Sequence, residues 1–140
     1  MEIQSKLFGN QHINPDTIIN FPAGIPGFED QHRFKLFHQE GSEIVYWLQS
    51  LDDDELAFSV AHPSHFNIHY DFVLTDDDAK LLQIDADDEL LILILLHRDD
   101  AGENGQPAIK GVIKSPLLIN STKRIAFQKI LLNSELPNIE

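Results

Sequence analysis

Residues 89–97, which read ELLILILLH, decide the fold class of this chain. Residues 90–96 are all Leu or Ile, so a strand formed here is apolar on both faces. Such a run is typical of a central strand that is covered on both sides, although a short buried helix is the competing interpretation. Asp87 and Asp88 before the run and turn-forming residues after it limit it to strand length. The sequence therefore predicts a buried strand over residues 89–97.

The flanks of this strand predict a helix and a loop. Thr75 is a good N-cap and precedes three acids, which suit the first turn of a helix, so a short helix is predicted over residues 76–82. Residues 99–107 contain Gly102, Asn104-Gly105 and Pro107, which predicts a hairpin-type loop that is long enough to be mobile.

Further short strands are predicted on both sides of this unit. They cover residues 4–8, before a turn at Gly9-Asn10, and residues 17–21, 33–39, 44–50, 56–61, 68–74, 108–114, 117–120 and 124–132. We predict a mainly β chain, a small single-domain antiparallel β-barrel-like fold with one or two short helices. The domain is expected to cover residues 1–132, and the polar residues 133–140 are expected to form a flexible C-terminal tail.

Composition excludes several classes of protein. The 140 residues include no cysteine, which excludes disulfides, thiolate zinc sites and cysteine nucleophiles and favours a reducing compartment. The longest apolar run is too short to span a membrane, and the first residues lack the pattern of a signal peptide. The expected localisation is cytoplasmic.

Charge is strongly negative and unevenly distributed. The net charge is −13, and residues 51–90 carry twelve acids against one base, Lys80, for a local net charge of −11. Residues 101–132 carry one acid against five bases. Such a charge disfavours direct binding of nucleic acid and speeds encounter with a basic protein, although acids also simply keep a protein soluble.

Searches for a metal site or a catalytic centre give weak signals. His62, His65 and His69 would share one face of a helix, as zinc ligands do, but Pro63 and the β-rich residues after it argue against a continuous helix. The acidic clusters lack the spacing of a calcium-binding EF-hand. No Gly-x-Ser-x-Gly motif or phosphate-binding loop is present. We therefore expect no metal, no cofactor, no catalytic residues and no enzyme.

Residues 21–29, FPAGIPGFE, hold two prolines and two glycines in nine positions. Prolines fix φ and glycines permit positive φ, so the segment is predicted to follow a rigid and unusual backbone path. It is interpreted either as a buried corner between strands or as a rigid apolar ledge for a partner. The residues assigned to this partner-binding or structural role are Phe21, Pro22, Gly24, Ile25, Pro26, Gly27, Phe28 and Glu29.

The same segment resembles the Phe-Pro-x-Gly-Ile-Pro-Gly-Phe-Glu stretch of the FliW family of flagellar assembly factors. Leu-Gln-Ser at residues 48–50, the acidic turn and strand at 52–58, Ser-Pro-Leu-Leu-Ile-Asn at 115–120 and the strand at 126–132 are also similar to the family pattern, so the resemblance covers about residues 1–132. Two features depart from it. Val112-Ile113 replaces a polar pair, and residues 122–128 lack the usual glycine.

The resemblance implies an interaction protein that acts in flagellum biogenesis and translation regulation, in a chaperone role. FliW-like proteins bind the translational regulator CsrA, antagonise its RNA binding, and bind flagellin, which couples flagellin synthesis to assembly. The expected partners are CsrA and flagellin, without direct contact with nucleic acid or a membrane. The alternative is an acidic β-barrel module that binds a small ligand in its mouth or another basic protein.

The acids expected to face CsrA, where they would repel an incoming phosphate backbone, are Asp52, Asp53, Asp54, Glu55, Asp76, Asp77 and Asp78. Flagellin is expected to present amphipathic helices, which bind apolar surfaces. Phe21, Ile25 and Phe28 are candidates for that contact, although the same residues could belong to the core.

Overall fold

The computed structural model describes residues 2–5, 9–12, 14–38, 41, 44–99 and 108–139. These residues contain one α-helix, α1 (Asp76–Leu82). The β-strands are β1 (Glu2–Ser5), β2 (Gly9–His12), β3 (Ile19–Asn20), β4 (Arg33–His38), β5 (Val45–Ser50), β6 (Ala57–Ala61), β7 (Ile68–His69), β8 (Leu90–Asp99), β9 (Ala108–Gly111), β10 (Leu117–Asn120), β11 (Ile125–Gln128) and β12 (Asn138–Ile139).

Seven of these strands form a closed ring. The order around the ring is β8, β10, β11, β3, β4, β5 and β6, and β6 pairs again with β8. Every pair is antiparallel except β11 and β3, which are parallel and meet at Ile125 and Asn20. The predicted mainly β, antiparallel, barrel-like single domain with a short helix is confirmed.

Strand β8 closes the ring because it is long enough to pair with three neighbours. Its first half pairs with β10, its middle with β6 and its last residues with β9. Leu93 and Ile94 are 1% and 0% exposed, and successive strand residues point to opposite faces, so the strand is covered on both sides there. The apolar run therefore forms a strand and not the competing helix.

The interior of the ring is filled by side chains from every part of it. Phe21 and Phe34 pack edge to face with their ring centroids 5.1 Å apart. The buried members of this core are Ile19, Phe21, Ile25, Phe34, Leu48, Val60, Leu93, Leu117, Ile119 and Ala126. A ligand would therefore have to bind at the mouth of the ring and not inside it.

Helix α1 has the bounds that the sequence predicts. The Thr75 hydroxyl accepts the Asp78 N–H at 3.0 Å, and the Asp78 carboxylate accepts the Thr75 N–H at 3.1 Å, which completes a capping box. The helix ends at Gln83, whose φ is +50°. Leu82 is fully buried and packs the helix against the sheet.

Several predicted boundaries were wrong. Gly9 and Asn10 belong to strand β2, where they pair with Ser5 and Gln4, and do not form a turn. The strand predicted at 17–21 is shortened because Asn14 caps a 3-10 turn at Pro15–Thr17. The strands predicted at 68–74, 108–114 and 124–132 are too long. Within these ranges the structure forms only the shorter strands β7, β9 and β11, respectively.

Two predictions concern loops and ends of the chain. Residues 100–107 of the predicted hairpin-type loop lie outside the described residues. Beyond β11 the chain forms a 3-10 turn at Asn133–Glu135, and β12 pairs with β7. The boundary of the domain at residue 132 and the flexibility of residues 133–140 stay predictions.

Candidate functional site

The loop at residues 21–32 joins β3 to β4 and forms a tight, sequence-determined corner. Phe21 anchors its start in the core, and its carbonyl accepts the Gly24 N–H at 2.8 Å. Gly24 has a φ of +70°, and a Cβ atom there would lie 2.6 Å from the Cα of Glu29. Only glycine fits this position, which explains part of the FPAGIPGFE motif.

The second half of the corner is more exposed. Ile25 is buried, and its carbonyl accepts the N–H of Phe28 at 2.6 Å. Phe28 is 38% exposed and packs edge to face on Phe58, with their ring centroids 5.2 Å apart. Phe21 and Ile25 are therefore core residues, as the corner interpretation has it, and Phe28 is the aromatic residue of the motif that a partner could reach.

An open groove of about 390 Å³ runs along the outside of this corner. Pro22 and Pro26 line one wall, Leu81 of α1 lines the other, and β11 lies between them. Glu29 stands at the rim, where the Gly27 N–H donates to its carboxylate at 3.0 Å and lowers the pKa of that group. The rim is therefore negatively charged at neutral pH.

The acidic turn, residues 51–56 between β5 and β6, is held by two side chains at the end of β5. The amide of Gln49 is buried and donates to the carbonyls of Ser50, Asp53 and Leu56 at 2.9, 3.3 and 3.0 Å. The Ser50 hydroxyl accepts the N–H groups of Asp52 and Asp53 at 3.2 and 3.1 Å. The Leu-Gln-Ser motif thus builds the turn that carries the acids.

The acidic turn is attached to the corner. The Ser50 hydroxyl donates to the Gln31 side chain at 2.6 Å, and Arg33 Nε donates to Asp52 at 3.1 Å. The hydrogen bond from Arg33 holds the pKa of the Asp52 carboxyl below its usual value. Asp53, Asp54 and Glu55 are exposed on the same turn. The structure therefore brings these two parts of the predicted site together.

The acids of helix α1 divide into two kinds. Asp76 and Asp77 are exposed, whereas Asp78 is buried and its carboxylate lies 2.7 Å from Lys129 Nζ. Burial raises the pKa of Asp78, but hydrogen bonds from Lys129 and the Thr75 N–H outweigh it and hold the pKa low. Asp78 was predicted to face a partner, and its position instead suits a structural role because its carboxylate is turned into the protein.

A third acidic segment, residues 85–89, is partly neutralised within the fold. Lys123 Nζ donates to Asp85 at 2.6 Å and lies 3.1 Å from Asp88. Buried Asn120, from the resemblance at residues 115–120, donates to the Leu82 carbonyl and to Asp88 at 2.9 and 3.0 Å. The bond from Asn120 to Leu82 ties the end of α1 to the end of β10.

The histidines predicted as possible zinc ligands, His62, His65 and His69, lie at the start of the 3-10 turn at Pro63–Phe66, within that turn and on β7, respectively. Within the described residues, no group of three His, Cys, Asp or Glu side chains is placed to hold a metal ion. A second hollow of about 320 Å³ lies on the ring near Lys35, Leu36 and Arg124.

Sequence reasoning missed the residues that position the acids. Gln49, Ser50, Asn120 and Lys129 are buried polar residues that hydrogen-bond within the acidic turn or to the corner and helix α1. The apolar groove beside Leu81 was also missed, since it depends on how α1 packs. One sequence feature could have indicated these buried polar residues. Leu-Gln-Ser and Ile-Asn place polar residues at the ends of otherwise apolar strands.

The fold and this surface define a small closed-ring β protein whose exposed features are a charged turn, a rigid proline-rich corner and an open groove. Comparison with known proteins identifies a family with this fold. The family model described as FliW protein matches residues 2–138. The chain belongs to the FliW family of flagellar assembly factors.

Curated relatives match over most of their length. A flagellar assembly factor FliW of Azoarcus sp. (strain BH72) is 40% identical over 135 residues, which are 94% of this chain and 91% of the relative. One from Chromobacterium violaceum is 36% identical and covers 92% of each chain. A crystal structure of the flagellar assembly factor FliW superposes with a TM-score of 0.84 at 26% identity, over 100% of this chain and 95% of that one.

The family is one of flagellar assembly factors and is not a known enzyme family. Among the described residues, no helix combines the length and the apolar character that crossing a membrane requires.

Proposed function

We propose that this protein acts in the cytoplasm as a flagellar assembly factor that binds CsrA, antagonises the RNA binding of CsrA, and binds flagellin. Membership of the FliW family supports the first part. The observation that carries the CsrA contact is the acidic turn at residues 51–56. Its backbone is fixed by Gln49 and Ser50, so its acids are presented as a preformed charged surface.

Electrostatics gives this turn a way to antagonise RNA binding. Asp53, Asp54 and Glu55 are exposed, and Asp52 is partly neutralised by Arg33. Two exposed charges 4 Å apart interact by about 1 kcal/mol in water, so the effect needs several acids together. Placed beside the basic RNA-binding surface of CsrA, they speed association and repel phosphate groups.

Flagellin binding is assigned to the apolar side of the corner. Phe28 is half-exposed and supported from below by Phe58, so it offers a rigid aromatic contact for the apolar face of an amphipathic helix. Because Gln31 and Arg33 tie the corner to the acidic turn, occupation of one side can affect the other. That link is how flagellin would release CsrA.

An RNA-release assay tests the proposal. Purified protein is added to a complex of CsrA with a leader RNA, and flagellin is then added. We expect RNA to be released from CsrA, and we expect flagellin to reverse the release.

A pair of matched variants tests the surface. Asp54→Asn with Glu55→Gln removes two charges from the acidic turn, and Asp71→Asn with Asp87→Asn removes two exposed charges elsewhere. We expect the first variant to slow association with CsrA about tenfold at low salt and the second to change it little. Equal effects of the two variants, or an effect that salt does not reduce, would count against docking at the turn. No binding of CsrA or flagellin by calorimetry would overturn the proposed function itself.

A further inference from the structure

Strand β11 has an open edge. On one side it pairs with β10 over its whole length. On the other side it meets β3 only at Ile125, because β3 is two residues long and the chain then turns into the corner. The ring is therefore closed at one point of this strand and open along the rest of it.

The chain continues this edge beyond the strand. The Lys129 N–H donates to the Pro116 carbonyl at 3.0 Å, and the Leu131 N–H donates to the Lys114 carbonyl at 2.9 Å. In an antiparallel ladder alternate residues bond to opposite sides, so the backbone groups of Gln128 and Ile130 are directed away from β10. Within the described part of the chain, those groups have no backbone partner.

Side chains do not protect this edge as they do in most proteins. Natural edge strands carry charges, prolines or covering segments that prevent pairing with another chain. Here Ile130 and Leu132 are 70% and 68% exposed. Gln128, two residues before Ile130 and therefore on the same face, is uncharged. An exposed apolar edge of this kind is suited to accept another strand.

The groove beside the edge defines what it would accept. Its walls are Pro22 and Pro26 on one side and Leu81 on the other. Glu29 lies at the first wall, and Asp77, four residues before Leu81, lies on the same face of α1 and is exposed. The groove thus offers apolar walls with the Glu29 carboxylate among its lining residues and the exposed Asp77 on the helix that supplies Leu81, which complements an apolar segment that carries basic residues.

We propose that the edge formed by Gln128 and Ile130 is a docking site for an extended segment of a partner protein, one with alternating apolar side chains and a flanking Lys or Arg. The segment adds a strand to β11 by backbone hydrogen bonds, with its side chains against the groove. This site is separate from the acidic turn, and it goes beyond the proposed function because it does not depend on CsrA or flagellin being the partners.

A designed peptide provides the probe. The acetylated and amidated peptide Lys-Val-Thr-Val-Thr-Val-Lys is titrated into the full chain, and amide hydrogen exchange is followed by NMR. We expect saturable binding that slows exchange at the amides of Gln128 and Ile130. The same peptide with all its central amides N-methylated keeps the charges and loses the donors, so we expect it to bind at least about tenfold more weakly.

Variants of the protein provide the second arm. Ile130→Pro removes the outward N–H, and Ile130→Lys places a charge on the edge; Val73→Lys, at a position that is 86% exposed, is the matched control. We expect both Ile130 variants to lose peptide binding by about tenfold or more while Val73→Lys retains it. Melting temperatures identify any variant that fails to fold, and Ile130→Lys keeps the test valid if Ile130→Pro does.

Other results would overturn the docking site. Equal binding of the N-methylated peptide would show that backbone pairing is absent. Unchanged exchange at Gln128 and Ile130 would place the peptide elsewhere. Protection of these amides that rises with protein concentration, without peptide, would assign the edge to a second copy of this chain. None of these results bears on the RNA-release assay, so the two proposals fail separately.

Discussion

The Nζ atom of Lys129 lies 2.7 Å from Oδ2 of Asp78, and both side chains are about nine-tenths buried. Asp78 belongs to the first turn of α1, and Lys129 follows β11, so this ion pair fixes the helix to the sheet. The same carboxylate accepts the Thr75 N–H, so one group both caps the helix and positions it. The helix that this pair positions also supplies Leu81 to the groove.

Lys129→Met is expected to destabilise the protein by about 3 kcal/mol, because it leaves the carboxylate of Asp78 buried without its cation. Urea unfolding followed by circular dichroism measures the change. Lys80→Met removes an exposed lysine of the same helix and is expected to cost less than about 0.5 kcal/mol. Similar costs for the two variants would show that the buried pair is not a special contact.

The Asp78–Lys129 ion pair makes the stability of the protein depend on pH in the acidic range. The folded pKa of Asp78 is held below its ordinary value of 3.8, so the unfolded state takes up the proton first as the pH falls. Its stabilising contribution is therefore complete above about pH 4 and lost as the pH falls through the lowered folded pKa. Urea midpoints between pH 7 and pH 2.5 are expected to fall less steeply in Asp78→Asn than in the unmodified protein. Identical slopes would assign acid sensitivity to other carboxylates.

Sequence patterns predicted local features well and long-range contacts poorly. The bounds of α1 were predictable because Thr75 and the acids after it act on their own neighbours. The partner of Asp78 was not, because Lys129 lies 51 residues further along the chain. For the same reason the acids were correctly seen as clusters, but no local pattern shows which ones the fold neutralises. Closure of the ring by β8 also depends on pairings that periodicity does not encode.

At residues 21–29 the sequence predicted the backbone conformation but not the burial of each side chain. Its composition predicted a fixed backbone path, which Gly24 and the bridge between Ile25 and Phe28 confirm. Composition could not show which aromatic residue faces inward, since that depends on where Phe34 and Phe58 lie in the ring. The structure resolves this by burying Phe21 and leaving Phe28 half-exposed.

Two glycines of that corner provide a matched pair of variants. Gly24→Ala is expected to cost about 2–4 kcal/mol, because a positive φ of +70° is combined with a Cβ atom that meets the backbone of Glu29. Gly27 has a φ of +90° but nothing within 4 Å, so Gly27→Ala is expected to cost only about 1 kcal/mol of backbone strain. Denaturant midpoints decide the order, and a larger loss in Gly27→Ala would contradict the proposed packing of the corner.

Ionisation of Tyr70 is expected to lower the stability of the protein at alkaline pH. Burial raises its pKa to about 12, and its hydroxyl donates to the Ile113 carbonyl at 2.6 Å. An unfolded tyrosine ionises near pH 10, so the contribution of Tyr70 to stability is complete below pH 10 and is lost as the pH rises through about 12. Absorbance at about 295 nm in a Tyr46→Phe variant isolates this group, since tyrosines absorb there once ionised. A midpoint near pH 10 in the folded protein would contradict the buried position.

Gln49 links the fold to the proposed function, and a variant at this position separates charge from its presentation. Gln49→Leu keeps every acid of the turn and nearly the same side-chain volume, but it removes the donor to the Ser50, Asp53 and Leu56 carbonyls. We expect a loss of about 2 kcal/mol in stability, because the buried Gln49 amide and its hydrogen bonds to three carbonyls are lost. We also expect faster hydrogen exchange at the amides of Asp52 and Asp53, whose bonds to Ser50 depend on the same turn.

If a preformed turn is what docks on CsrA, association in low salt slows in Gln49→Leu although the net charge is unchanged. If the rate is unchanged while exchange is faster, the acids act through their number alone, and the rigidity of the turn has no part in binding.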